Sequence, residues 1–449
     1  MWLAKKLGID KSIAYSSAGQ MVSAGGGFLT ALFILKCLSA EEQGYYYTFK
    51  SILAIQVFFE LGMNTVITQY VAHDVAHLQW DDSMLIGEER YRSRLSSMLH
   101  FCTKWYIFFS CIMLVALIIG GYSFFYHFGE ADNDINWQIP WLILCFTTAL
   151  NLLITPVFSY LQGLGKVKDV QKYYFYKYTF YLISVLVSFA LGAKLYALSI
   201  GNIVYILVSA IFLLCTPLGK IVWNIYKIKV TERISYIKEI LPFQWKIAVS
   251  WVSGYFIFQL FSPTIFATNG AVAAGQMGMT LTVLTGIQAL TYSWTSTKIP
   301  IYSGLIEKKQ YSQLDRLFYF TVRQAVSVNA VCLAGFFMFI FIFRHFGITI
   351  TNVNLAERFL PYIPMIMMMI PEFANQFITA WATYLRCHKQ EPYLIYSIVT
   401  AILCCISTLL IGRIWGVNGI TTGYCLITLA LMPWAYIIFK TKRDLWHSN

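Results

Sequence analysis

Twelve apolar stretches, each long enough to cross a bilayer, follow one another through 449 residues, and the positive charges between them gather in every second gap. A helix crossing about 30 Å of hydrocarbon needs about 20 apolar residues. The stretches run over 12–37, 44–72, 99–126, 137–163, 173–191, 195–215, 243–261, 271–300, 317–343, 359–385, 393–411 and 417–439. They predict helices, because unpaired backbone amides are too costly in lipid, and no alternation of the outer-membrane barrel kind runs through them. Hydrophobic residues make up 58% of the chain and charged residues 12%, at a mean hydropathy of +0.61. A soluble domain does not hide that much apolar surface from water. The expected fold is an all-α polytopic membrane protein, and its function concerns something that lives in or crosses the membrane.

The formal charge of +12 invites a nucleic-acid partner, but its placement argues for topology instead. One set of gaps holds Lys5, Lys6, Lys11, then Arg90, Arg92, Arg94, then Lys166, Lys168, Lys172. The same side continues with Lys220, Lys227, Lys229, Arg233, Lys238, Lys246, then Lys308, Lys309, Arg316, then Arg386, Lys389, and finally Lys440, Lys442, Arg443. The opposite gaps hold Lys36, Lys194, Arg344, Arg358 and Arg413. By the positive-inside rule both termini are expected in the cytoplasm, with no nucleic-acid partner. Lys5, Lys6 and Lys11 precede a first span of full length, so no cleavable leader is expected.

The longest basic connection, 216–242, divides the chain into an N-terminal six-span lobe, 1–215, and a C-terminal one, 243–449. Ser39 to Gly44 aligns with Gly270 to Gly275, and Ser93-Arg94-Leu95 with its following Phe101 and Lys104 aligns with Ser312-Gln313-Leu314, Phe320 and Arg323. Six spans per repeat is even, so both halves enter from the same side; a parallel duplication with a cleft at the interface is expected. The external gaps are short, and the largest carries Glu130, Asp132 and Asp134. The connection 73–98 reads either as an interfacial amphipathic helix or as a solvated connector.

Charges at bilayer depth are costly unless paired or hydrated, which makes them the first functional candidates. They are Lys50, Lys104, Lys177, Lys298 and Arg323 among the cations and Glu60 and Glu372 among the acids. Lys104, Lys177, Lys298 and Arg323 lie a few residues inside a cytoplasmic end, within snorkelling reach of headgroups. Gln56, Glu60, Asn64 and Thr68 recur every fourth residue on one face of the second span. That face is either a hydrated cavity wall or an interhelical hydrogen-bonding seam; a carboxylate so deep favours the cavity. Thr280, Gln288, Thr291, Thr295 and Lys298 form a comparable face in the eighth span. Such hydroxyls and amides either bind sugar hydroxyls or bond their own backbone. Glu372 follows Pro371 in the tenth span, and Gly25-Gly26-Gly27 offers a bend or a close helix approach in the first. The run Tyr173 to Tyr178 reads as an interfacial aromatic belt.

The chain carries no P-loop, no HExxH, no GxSxG and no Cys/His cluster at ligand spacing, so no catalysis, metal or cofactor is expected. Its ten cysteines read as small buried apolar residues.

Four segments carry a family resemblance. They are Leu35-Lys36-Cys37-Leu38-Ser39-Ala40-Glu41-Glu42-Gln43-Gly44-Tyr45-Tyr46; Phe59-Glu60-Leu61-Gly62-Met63-Asn64; Leu161-Gln162-Gly163-Leu164-Gly165-Lys166; and Lys298-Ile299-Pro300-Ile301-Tyr302-Ser303. The chain resembles the multidrug/oligosaccharidyl-lipid/polysaccharide (MOP) exporters, and among them the Wzx-type flippases of O-antigen and capsular repeat units. It departs from the lipid II flippase branch in having twelve spans where that branch typically has fourteen, in lacking arginines in the first span, and in Lys36 where many relatives have arginine. The resemblance implies two six-helix bundles around a MATE-like V-shaped cleft in a bacterial cytoplasmic membrane. It implies alternating-access transfer of an oligosaccharide on an undecaprenyl-pyrophosphate type lipid, for lipopolysaccharide or capsule assembly, alongside a polysaccharide polymerase or chain-length complex. On that reading Lys104, Lys298 and Arg323 receive pyrophosphate, Lys50 lies nearer the exit, and Gln288, Thr291 and Thr295 meet sugar. Glu60 or Glu372, with Gln56 and Asn64 on the cavity wall, couples the change to a proton or cation. The alternatives are a cation-coupled drug or metabolite antiporter, a membrane glycan polymerase or glycosyltransferase, and a scaffold of an assembly complex.

Overall fold

The computed structural model describes residues 11–81, 84–129, 135–232, 234–350, 353–388 and 390–447. Lys5, Lys6, Arg233, Lys389 and the acidic Glu130, Asp132 and Asp134 lie outside the described residues. The helices are α1 (Lys11–Cys37), α2 (Ala40–Leu53), α3 (Val57–Glu60), α4 (Met63–Val75), α5 (Glu89–Ala116), α6 (Tyr122–Phe128), α7 (Gln138–Gly163), α8 (Val167–Ala190) and α9 (Tyr196–Cys215). They continue with α10 (Pro217–Tyr226), α11 (Leu241–Phe258), α12 (Phe261–Ser296), α13 (Ile299–Glu307), α14 (Tyr311–His345), α15 (Tyr362–Arg386), α16 (Leu394–Ile406) and α17 (Gly412–His447). The fold is all-α and polytopic, with two short hairpins, β1 (Leu78–Asp81) with β2 (Met84–Gly87) and β3 (Thr349–Ile350) with β4 (Val353–Asn354).

Each of the twelve expected spans falls on helix. Among the described residues, seven helical stretches are long and apolar enough to cross a membrane, and two of them, Ile247–Glu307 and Leu394–His447, each contain two expected spans. Backbone breaks at Gly270 and Gly416 divide those two runs at the expected outer turns. The remaining three expected spans are helical but less apolar. α1 is rich in serine and glycine, α8 carries Lys177 and five tyrosines, and α15 carries Glu372, Asn375 and Gln376.

The connection 73–98 corrects the amphipathic-helix expectation. Leu78–Asp81 and Met84–Gly87 pair as the antiparallel strands β1 and β2, in which Trp80 faces Leu85 and Leu78 faces Gly87. Leu78 and Leu85 point inward while Gln79, Asp81, Met84 and Ile86 are outward, a period of two that a helix does not accommodate. The Lys166 ammonium lies 3.9 Å from the Trp80 ring centroid.

The described residues group into two compact units, one within 1–33, 52–127 and 131–252, the other within 34–51, 128–130 and 253–449. In the first, the long basic connection is clamped to the start of α5. α10 is amphipathic, with Leu218, Ile221 and Ile225 buried. Beyond it the Ser93 hydroxyl accepts from the amides of Thr231 and Glu232, both at 2.8 Å, and Ser97 Oγ accepts from the Ile234 amide at 3.1 Å. Ser96 Oγ donates to the Ile228 carbonyl at 2.8 Å. Arg94 bridges Glu239, at 2.7 Å, and Asp74, at 3.3 Å. Burial alone pushes the Glu239 carboxyl up, but the Ser235 amide and the Arg94 guanidinium outweigh it and hold its pKa below the usual range. That contribution is complete above the ordinary carboxylate pKa and fades as pH falls through the depressed one.

In the second unit, α2 docks on α12 through the first of the family-like segments. Ser39 and Glu42 form a capping box: the Ser39 amide donates to Glu42 Oε2 at 2.9 Å and the Glu42 amide to Ser39 Oγ at 3.1 Å. Gln43 Nε2 donates to the carbonyls of Gly275 at 2.8 Å and Arg358 at 3.1 Å, and Arg358 Nη2 to the Leu38 carbonyl at 2.7 Å. Gly44 sits against the Ala271 carbonyl, where a Cβ collides with backbone, and Gly275 faces the Gly44 amide. The internal alignment pairs Gly44 with Gly275, so this contact joins two positions that the alignment makes equivalent. Small residues let helix backbones approach this closely in a membrane. Gly44→Ala should cost about 1–3 kcal/mol, lowering the thermal midpoint of detergent-solubilised protein by roughly 5 °C. Gly286→Ala, whose added Cβ meets nothing within 4 Å, should hold or raise the midpoint; equal midpoints for the two variants would remove the contact's role.

Candidate functional site

The first unit concentrates its intramembrane polar groups where the second span breaks. A tight turn, Ala54–Gln56, leads into the single-turn α3, and then Leu61 (φ 46°) and Gly62 (φ 66°) are both left-handed before α4 resumes. A leucine in this conformation costs about 1–2 kcal/mol, so the surroundings must hold it. Gln244 Nε2 donates to the Leu61 carbonyl at 3.4 Å, and the Ile247 side chain occupies the space a Cβ at Gly62 needs. The four-residue stripe is therefore interrupted, yet its members stay together. Gln56 Nε2 donates to Glu60 Oε1, Asn64 Nδ2 to Glu60 Oε2 at 3.4 Å, and Tyr106 Oη to Asn64 Oδ1 at 3.3 Å. Thr68 Oγ1 donates to the carbonyls of Asn64 and Ser159, both at 3.0 Å.

The charge of Lys177 acts on Glu60 from beyond ion-pair distance, a relation its sequence position did not disclose. Its side chain is 2% exposed and points inward instead of snorkelling. The ammonium lies 3.5 Å from the Tyr205 ring centroid and 5.1 Å from that of Tyr173, and 3.5 Å from Asn151 Oδ1. Tyr173 is fully buried, stacked on Phe158 at 3.5 Å, with its hydroxyl 2.8 Å from Ser209 Oγ. The tyrosine run thus differs from the expected belt: its first member helps enclose a cation inside the unit, where aromatic faces replace part of the lost hydration.

Two cavities of the second unit are formed by described residues. One, about 420 Å³, is walled by α11, α12, α15, α16 and α17, with Gln288, Asn375 and Tyr424 among its polar surfaces. The other, about 560 Å³, is bounded by Arg323 and Ser327 with Tyr319, Phe320 and Phe377. Arg323 is exposed there. Thr291 and Thr295 line neither of these two cavities; both are fully buried. Thr291 Oγ1 lies 2.9 Å from Gln376 Oε1 and accepts from Asn329 Nδ2 at 3.5 Å, while Thr295 Oγ1 has no partner among the described residues. Glu372 is 8% exposed and its Oε1 is likewise unpartnered, with α15 continuing unbroken through Pro371. Lys50 is exposed, its ammonium 5.8 Å from the Tyr46 ring; Lys104 is exposed on α5; Lys298 is half-buried at the α12–α13 junction. Among the described residues no group of His, Cys, Asp and Glu is arranged to hold a metal.

No protein-family model and no curated protein matches the chain by sequence. Solved structures do match. An inward-facing multidrug resistance MATE family transporter of the MOP superfamily aligns at TM-score 0.67 and 11% identity over 97% of this chain and 99% of that one. This chain has the fold of that transporter. Lipid II flippase MurJ in an inward closed conformation aligns at TM-score 0.59 and 14% identity, covering 94% of this chain and 86% of that one. A MATE in complex with MaL6 aligns at 0.57 and 12%, covering 98% of each. The MATE fold is thus shared from end to end at identities too low to carry a substrate with it.

Within this fold the Glu60–Lys177 pair lends itself to a double-mutant cycle. Charges that act on one another show coupling of about 0.5–3 kcal/mol in such a cycle. Lys177→Met and Glu60→Gln should each destabilise the protein, and the double variant should lose clearly less than the two losses added. Strict additivity of the thermal shifts would show that the two charges are not coupled.

Proposed function

We propose that this chain is a flippase that moves an isoprenoid-pyrophosphate-linked oligosaccharide from the inner to the outer leaflet of a bacterial cytoplasmic membrane, for assembly of O-antigen or capsule. The supporting observation is the exposed Arg323 guanidinium in its aromatic-sided cavity within an apolar helical unit. A guanidinium presents a rigid fork of donors that suits phosphate oxygens and repels a cationic cargo. The fold shared with a lipid II flippase and with MATE transporters agrees with transport by alternating access. Lys104 and Lys298 join Arg323 in receiving the pyrophosphate from the side of the basic loops, and Lys50 lies nearer the exit. Glu60, flanked by Gln56 and Asn64, or Glu372 with its unpartnered oxygen, couples the cycle to a proton or cation. Both termini lie in the cytoplasm, and a polysaccharide polymerase or chain-length complex receives the product.

A second reading, a cation-coupled drug or metabolite antiporter, draws on the same two acids, half-buried Glu60 and buried Glu372, and on the likeness to MATE transporters. Its signature is efflux of cationic compounds with surface glycan unaffected.

Loss of a hydrogen bond to a charged group costs about 1.5–3 kcal/mol, so Arg323→Gln should reduce glycan export by roughly 10- to 100-fold at equal membrane expression. Lys104→Gln with Lys298→Gln should block export, with lipid-linked repeat units accumulating on the cytoplasmic leaflet by sidedness-resolved mass spectrometry. Full export from both variants removes these cations from the mechanism.

A further inference from the structure

The 420 Å³ cavity of the second unit uses none of the cations assigned to the pyrophosphate. Apart from Arg386, its polar wall is neutral. Gln288, Thr379, Ser397 and Thr428 face it without a side-chain hydrogen bond among the described residues, and Asn375 commits its Nδ2 to the Tyr424 hydroxyl at 2.9 Å. The one charged group on the wall, Arg386, is held on two sides by Glu391, with Nε–Oε2 and Nη2–Oε1 both at 2.8 Å. Tyr292, Tyr393, Tyr396 and Tyr424 supply aromatic surface. Two of these rings are pinned: Tyr393 Oη donates to the Ala435 carbonyl at 2.7 Å, and the Tyr393 and Tyr396 rings pack edge to face at 5.6 Å.

Three ligand classes are separable on this chemistry. A phosphate finds no free cation, since the Arg386 fork is already engaged. An organic cation finds no carboxylate on the wall. An acyl chain leaves several amides and hydroxyls without partners, each worth about 1–3 kcal/mol when desolvated unpaired. A neutral polyhydroxylated ring fits: its hydroxyls both donate and accept, matching Gln288, Asn375 and the wall hydroxyls, and its C–H face lies against fixed tyrosines. The volume lies in the range of about 300–1,000 Å³ usual for small-ligand sites.

We propose that this cavity is a glycan pocket that binds neutral sugar of the cargo, apart from the cationic groups that bind its phosphates. The inference rests on the flippase reading for the identity of the cargo and names which part of it this pocket takes.

The test uses the full-length protein in lipid nanodiscs. The probes are oligosaccharide repeat units released by mild acid from the surface polysaccharide of cells that make this chain, and tetraphenylphosphonium. Saturation-transfer NMR should show repeat-unit binding that Gln288→Leu and Asn375→Leu each weaken by at least tenfold. Ser293→Ala, off the wall, should leave it unchanged. Because Asn375→Leu loses a bond to Tyr424, its folding is checked by size exclusion, and Gln288→Leu, on a half-buried side chain, carries the test alone if that variant fails. Repeat-unit binding that both wall variants retain, absence of binding to wild type, or tetraphenylphosphonium occupying the pocket in its place would overturn the proposal. Deletion of the chain separates the two claims. Lost export without repeat-unit binding overturns the pocket alone; unchanged export overturns the flippase reading, whatever the pocket binds.

Discussion

In hydrocarbon no water completes a backbone hydrogen bond, and the rest of this structure follows from that constraint. The expected spans fall on helix, and at several interruptions a side chain takes the place water holds in a soluble protein. Arg358 reaches the Leu38 carbonyl, Gln43 reaches those of Gly275 and Arg358, and Gln244 reaches that of Leu61. The conspicuous short segments are thus junction hardware. Ser39 and Glu42 start a helix, Gln43 caps a neighbour, and Gly44 lets the backbones touch.

The same constraint governs charge. Glu60 and Lys177 are each surrounded by groups that offset desolvation: amides of Gln56 and Asn64 for the acid, the Tyr205 face and Asn151 for the base. A carboxylate at a helix break is an unstable arrangement unless it is held this densely. The second unit differs, since Glu372 keeps one oxygen unpartnered among the described residues, while Thr291, Gln376 and Asn329 form a neutral triad.

Span positions and the grouping of Gln56, Glu60 and Asn64 were legible because both depend on periodicity along one segment. The break at Leu61–Gly62 was not anticipated: the stripe through Glu60 and Asn64 reads as one continuous helical face, and a left-handed leucine has no sequence signal. Lys177 was misread as a snorkelling residue because its partners come from α7 and α9, and no local pattern reports on them. The β1–β2 hairpin was missed because two four-residue strands in a charged connection carry too little alternation to outweigh the interfacial-helix pattern; Leu78, Trp80 and Leu85 were the available clue. The 420 Å³ cavity draws on five helices, of which the eighth-span polar face marked only Gln288. Its neighbours Thr291 and Thr295 turn into helix packing, since a stripe wider than one wall must bury part of itself.

The clamped connection after α10 has a consequence for handling the molecule. Its length invites use as a slack tether into which a reporter or affinity tag is inserted. Ser93, Ser96, Ser97 and Arg94 make it a fixed strap, with four successive anchor points between Ile228 and Glu239. Foreign sequence spliced there would strip partners from the base of α5, so fusions belong elsewhere on this chain.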